Sequence, residues 1–197
     1  MKDNYRTTLN TRPLMFLESR RVGKLLVKRV STEEIRRQVI EEDLLQLPSI
    51  SRRKIAVEII LKRLNYLDDY LITKFVEVDQ DTARILLLYS ILRNDQLFYE
   101  FMREVYWQSI ISHADTLRKS DIINFITNKG LQSNRVKMWT DGTKRRLADA
   151  YQQILTETQL LQDEHIKNSI LTGDVRQYLI QNGDKQRVEI LIGRLIS

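Results

Sequence analysis

The chain has 197 residues, 32 Lys+Arg against 26 Asp+Glu, two His and no Cys. Its length allows one compact domain, or two small ones sharing an interface, with a real core. The absence of Cys excludes disulfides, thiolate metal sites and cysteine nucleophiles. Two His, at positions 113 and 165, leave little for zinc-hydrolase or His-triad chemistry. Six Gly and two Pro are too few corners for a many-stranded fold, so the composition points to an all-α protein.

The first 13 residues read as an extended arm ending at Pro13, with no apolar signal segment. A first helix is expected over 14–30. On a helical wheel Met15, Phe16, Val22, Leu26, Val27 and Val30 share an arc with the small residues Ser19 and Gly23, which allow close approach of another helix. Arg20, Arg21, Lys24 and Lys28 form a basic outer stripe, interrupted by Leu17. Ser31 and Glu34 have capping-box spacing and open a second helix to about 45, which Pro48 and Ser49 terminate. Ser51 then caps a third helix over 52–66, with Ile55, Ile59, Ile60 and Leu64 inward and Arg52, Arg53 and Lys54 in its first turn.

A short helix over 68–77 leads to a central helix over 80–94, apolar on most sides, whose start Asp79 and Asp81 flank. A helix over 96–112 carries Leu97, Phe98, Phe101, Met102 and Val105 at helical spacing. The composition shifts around 113–120. This divides an N-terminal helical bundle, 1–117, from a C-terminal helical subdomain, 118–197, either as two units or as one tightly packed body. Ser120 caps a helix ending near Gly130; a helical turn follows at 134–139, then a helix over 143–157. Two short helices, 174–182 and 185–195, finish the chain. The longest strongly apolar run, Ile85 to Leu92, is too short to cross about 30 Å of hydrocarbon, so a cytoplasmic protein without membrane contact is expected.

No nucleotide-binding glycine loop occurs, and no nucleophile, base and orienting group stand at recognisable spacing, so neither a cofactor nor an enzyme is expected. His113 and Asp115 suit surface hydrogen bonding. The charge is more informative. Residues 1–75 hold 16 Lys+Arg and 10 Asp+Glu, the whole net excess of +6, whereas 76–197 hold 16 of each. A second cluster at 129–146 has six cations and one acid. Local asymmetry of this kind points to a polyanionic partner.

The stretch 121–157 is compatible with a helix-turn-helix-like unit whose last helix opens on Thr143-Lys144-Arg145-Arg146, near Lys137. Cations at a helix N-terminus are disfavoured by about 0.3–1 kcal/mol each, which a bound phosphate offsets. The competing reading is neutralisation by Asp141, Asp149 and Glu157. Gln152 shares the polar face with Arg145, while Trp139 and Tyr151 suit the core. The candidate nucleic-acid-binding residues are therefore Arg20, Arg21, Lys24, Lys28, Arg52, Arg53, Lys54, Lys137, Lys144, Arg145 and Arg146.

Glu18-Ser19-Arg20, Arg53, Arg63-Leu64, Phe101, Glu104-Val105, Trp139-Thr140-Asp141-Gly142-Thr143, Leu147 and Ile154-Leu155 resemble the BrxA family of BREX (bacteriophage exclusion) defence systems. The resemblance spans nearly the whole chain. It implies an all-helical fold similar in part to NusB, and a non-catalytic accessory protein that binds double-stranded DNA beside a methyltransferase and an ATPase. A protein-interaction scaffold and a NusB-like RNA binder are the alternatives, with a monomer favoured. One departure is Thr158-Gln159-Leu160-Leu161, where similar sequences often place Gly before the paired Leu.

Overall fold

The computed structural model describes residues 4–196. In chain order it comprises a 3-10 turn (Thr8–Asn10), then α1 (Phe16–Val27), α2 (Thr32–Ile40), α3 (Ile50–Leu64), α4 (Asp69–Glu77) and α5 (Gln80–Asn94). Next come α6 (Gln96–Phe101), a π-helical turn (Met102–Tyr106), α7 (Trp107–Ile111), α8 (Lys119–Lys129), α9 (Asn134–Lys137) and α10 (Asp141–Glu157). A small antiparallel hairpin of β1 (Leu161–Gln162) and β2 (His165–Ile166) precedes α11 (Gly173–Gln181) and α12 (Lys185–Ile192). The fold is predominantly all-α.

Helix starts follow local capping chemistry. Ser31 Oγ accepts from the Glu34 amide, Asp79 Oδ1 from the amides of Asp81 and Thr82, and Thr140 Oγ1 from the Thr143 amide. Three starts differ from the sequence expectation. Ser49, and not Ser51, caps α3 by accepting from the Arg52 amide. The buried face of α3 is Ala56, Val57, Ile60 and Leu64, and Ile55, expected inward, lies on the opposite side of the helix and is exposed. The start of α8 lies at Lys119, where Asp121 Oδ2 accepts from the Arg118 amide. The start of α10 lies at Asp141, which places Lys144, Arg145 and Arg146 one turn inside the helix.

The expected helix over 96–112 is interrupted by its π-helical turn, and α1 is shorter at both ends than expected. The arm is not extended throughout. Its residues 1–3 lie outside the described residues, but Leu9 of the 3-10 turn is buried and the turn packs on α10. The hairpin was not legible as such; its two-residue turn, Asp163-Glu164, has both residues at positive φ.

Helix α5 is the centre of the core, with ten of its residues buried, from Thr82 to Leu92. Against it pack α3, α4 and α12. The small residues of α1 act as expected. Ser19 and Gly23 are buried where α1 crosses α4, and a Cβ on Gly23 would lie 3.1 Å from the Phe75 ring. Phe98, Phe101, Phe125 and Tyr151 form an aromatic cluster joining α6, α8 and α10, with ring centroids 4.6–6.0 Å apart.

Contacts also cross residue 117. Asp174 of α11 pairs with Lys74 of α4 at 2.6 Å, and Tyr178 donates to Asp68 at 2.8 Å. The buried carboxylate of Asp184 accepts from Tyr89 and Arg93 of α5 and from Arg187 of α12. Among the described residues no helix is long and apolar enough to cross a membrane.

Candidate nucleic-acid interface

The eleven candidate cations divide into those that hold the fold and those that do not. Arg20 reaches from α1 to the carbonyls of Val76 and Val78, at 2.8 and 2.7 Å, and so fixes the α4–α5 turn. Arg21 donates to the Leu44 carbonyl, and Arg53 to those of Ile40 and Leu47 while pairing with Asp43 at 2.8 Å. Two arginines on different helices thus grip the same 41–49 loop. Asp43 and Gln46 in that loop adopt positive φ, a conformation that needs such support. These three guanidinium groups are half-buried and committed to backbone oxygens.

Lys24, Lys28, Arg52 and Lys54 are exposed, as are Lys137, Arg145 and Arg146; Lys144 is half-buried. None of these eight forms an ion pair among the described residues. The acids expected to neutralise the α10 cluster are engaged elsewhere. Asp149 pairs with Lys119 of α8, and Glu157 accepts from Gln153. Asp141 sits at the first position of α10, where a carboxylate complements the helix dipole. Lys129, the first cation of the 129–146 cluster, is buried and held by Glu100 and Glu104 at 2.6 and 2.9 Å. The remaining cations of that cluster form no ion pair among the described residues.

A cleft of about 720 Å³ links the two halves of the chain. Arg12, Phe16 and Leu17 line it from the arm and α1, Arg52 from α3, Arg84 from α5, and Gln153 and Glu157 from α10. Arg84 lies 4.9 Å from the centre of the Phe16 ring and 3.0 Å from Asp81. Arg146 precedes Gln153 by seven residues, about two helical turns, so it continues the α10 face that borders the cleft. Arg52 lines the cleft itself, while Arg146 stands on the same face of α10 about two turns before Gln153. Arg12, Arg84 and Arg135 were missed by sequence reasoning. Arg84 pairs with Asp81 one turn before it, and Arg135 was counted in the 129–146 cluster without being singled out.

Among the described residues no group of three His, Asp or Glu could hold a metal ion. The buried tyrosines are in place as core groups: burial raises Tyr106 and Tyr151 well above the ordinary phenol range, which keeps them neutral.

The BrxA family model matches residues 3–183. The BREX protein BrxA of Bacillus cereus (strain H3081.97) is 35% identical over 193 residues, covering 96% of each chain. The chain belongs to the BrxA family. That membership makes it a component of a BREX phage-defence system. In fold it is similar to the crystal structure of an uncharacterized protein from Magnetospirillum magneticum. The TM-score is 0.80 at 21% identity, covering 95% of this chain and 97% of that one. The positions that carried the family resemblance are largely architectural. Ser19 permits the α1–α4 approach, Arg20 and Arg53 hold turns, Phe101 stacks in the aromatic cluster and Thr140 caps α10.

Proposed function

We propose that this BREX component is a non-catalytic, cytoplasmic DNA-binding protein that grips the phosphates of duplex DNA. Lys137, Lys144, Arg145 and Arg146 are the principal contacts, with Arg52, Lys54, Lys24 and Lys28 extending the surface. The observation that carries the reading is that the α9–α10 cations form no ion pair among the described residues, while Asp149 and Glu157 are engaged elsewhere. Unneutralised cations on a folded surface attract polyanions, and phosphate binding releases condensed counterions. Arg20, Arg21 and Arg53 have no contact role in this reading; they shape the surface on which the others stand.

A gel-shift salt titration with the isolated protein and duplex DNA tests it. Binding at low salt should weaken steeply with salt. Combined reversal of Lys144, Arg145 and Arg146 to Glu should weaken all sequences alike and reduce the salt slope by about 3, one unit per phosphate contact. Absence of duplex binding at low salt overturns the proposal. RNA competing better than duplex DNA replaces it with an RNA-binding role. The exposed Leu17 beside Arg52 in the cleft favours a second reading, in which that part of the surface docks an acidic partner such as the methyltransferase or the ATPase. A nuclease-resistant complex, with no DNA binding by the isolated chain, would select that reading.

A further inference from the structure

Among the described residues, the two most exposed large apolar side chains are Leu131, at 86%, and Met138, at 85%. They bracket α9, whose Arg135 and Lys137 are exposed and without ion pairs among the described residues. The segment between them is rigidly held. Ser133 Oγ accepts from the Val136 amide, Val136 is buried, and the backbones of Gly130 and Lys137 approach closely. A Cβ on Gly130 would lie 3.4 Å from the Lys137 Cα and 3.0 Å from the Thr127 carbonyl oxygen. Leu131 and Met138 each follow a member of that touching pair, so their Cα atoms are no more than about 13 Å apart. Water-facing apolar side chains this exposed gain nothing for the fold.

We propose that Leu131 and Met138 form an apolar wedge that enters a groove of the duplex and partly unstacks a base step. The proposal rests on the DNA-binding reading above and extends it from phosphate contact to DNA deformation. The charge carried along this segment of the chain chooses the occupant. Arg135 and Lys137 lie between the two apolar residues, Lys144, Arg145 and Arg146 follow in the next helix, and Asp141 is the sole acid from 129 to 146. Such a tip is complementary to a polyanion with an apolar stacked interior. Apolar residues flanked by cations unstack base steps in minor-groove architectural proteins, and pyrimidine–purine steps yield most easily.

The test uses the full chain and a panel of duplexes carrying 2-aminopurine at successive TA and CA steps, with donor and acceptor dyes on their ends. Wild-type binding should raise 2-aminopurine fluorescence about twofold or more at one step and shorten the end-to-end distance. The double variant Leu131→Ser/Met138→Ser should retain its helical circular dichroism and bind within about fivefold of wild type. It should lose both the fluorescence increase and the bend. Wild-type binding without either signal, or a variant that keeps both, overturns the wedge and leaves the phosphate-contact reading intact. Failure of the wild type to bind any duplex at low salt overturns both. A variant that bends DNA normally but no longer joins a BREX partner assigns the tip to protein docking and overturns the wedge.

Discussion

Arg63 donates from Nη1 to the Leu14 carbonyl at 3.0 Å and from Nη2 to the Arg12 carbonyl at 2.5 Å. Its side chain is almost wholly buried, and it forms no carboxylate ion pair among the described residues. Burial pushes the guanidinium down to about 10, with the charge of Asp95 acting against that shift. The cation ties the end of the arm to α3 and so sets the entry into α1, where Met15 has φ 57°.

Replacement of Arg63 by Met should lower stability by about 2 kcal/mol in urea denaturation, since two charge-assisted hydrogen bonds are lost while a desolvated charge is removed. Arg63→Lys should not restore it, because an ammonium lacks the planar fork that meets two carbonyls at once. Full rescue by Lys would show that charge, and not donor geometry, holds the arm.

Gln159 offers a test with the opposite sign. It follows Thr158 at the end of α10 with φ 60°, its amide donates to the Thr156 carbonyl, and the Leu160 amide donates to the Leu155 carbonyl at 2.8 Å. This is the helix stop that glycine suits best, with Leu155 and Leu160 both buried beneath it. Gln159 is therefore a strained residue at a helix end that glycine would suit. Gln159→Gly should stabilise the protein by about 0.5–1 kcal/mol, relief of left-handed strain outweighing loss of the Gln159–Asp81 hydrogen bond. A lower melting temperature in calorimetry would contradict this.

Much of this architecture is legible in sequence where one helix decides its own fate. The apolar arc with Ser19 and Gly23, the caps at Ser31 and Asp79, and the all-round apolar α5 follow from periodicity and short-range hydrogen bonding. Ser49 and Ser51 are chemically equal caps, and only the path of the loop after Pro48 brings the Ser49 oxygen to the Arg52 amide. Ile55 faces outward for a separate reason: Ala56, Val57, Ile60 and Leu64 make a more continuous apolar arc, which tertiary packing buries. The candidate site was less legible for the same reason. A basic stripe on α1 looks uniform on a wheel, but Arg20 and Arg21 find carbonyls 56 and 23 residues away. Nothing local distinguishes them from Lys24 and Lys28.

Acid should weaken the link between α8 and the α6 region. Burial raises the Glu100 carboxyl, but hydrogen bonds from Lys129, Tyr5 and Gln96 outweigh it and leave the group below its ordinary value of 4.5. A carboxyl depressed in the folded state contributes stability that is present above pH 4.5 and is lost as pH falls through its folded value. Urea midpoints should therefore fall below about pH 4.5. Glu100→Gln should reduce stability at pH 7 by about 2 kcal/mol, with Glu104 still facing Lys129, and should flatten this part of the acid dependence. Asp95 has the opposite sign, since burial raises it, so the wild-type and variant curves are to be compared as a difference.

The division of the cations into holders and contacts is testable by setting stability against binding. Arg53→Ala removes hydrogen bonds to the carbonyls of Ile40, at the end of α2, and Leu47, in the 41–49 loop, together with the Asp43 pair, and should destabilise the protein by about 1–3 kcal/mol. Arg146→Ala removes an exposed side chain with no ion pair among the described residues, and should change stability by no more than about 0.5 kcal/mol. On duplex DNA the order reverses. Arg146→Ala should weaken binding and reduce the salt slope by about one unit, as for a single phosphate contact. Arg53→Ala should leave the slope unchanged at temperatures where the variant remains folded. If both variants lose the same slope and Arg53→Ala melts like wild type, Arg53 is a phosphate contact, and its grip on the Leu47 carbonyl gives way when DNA binds.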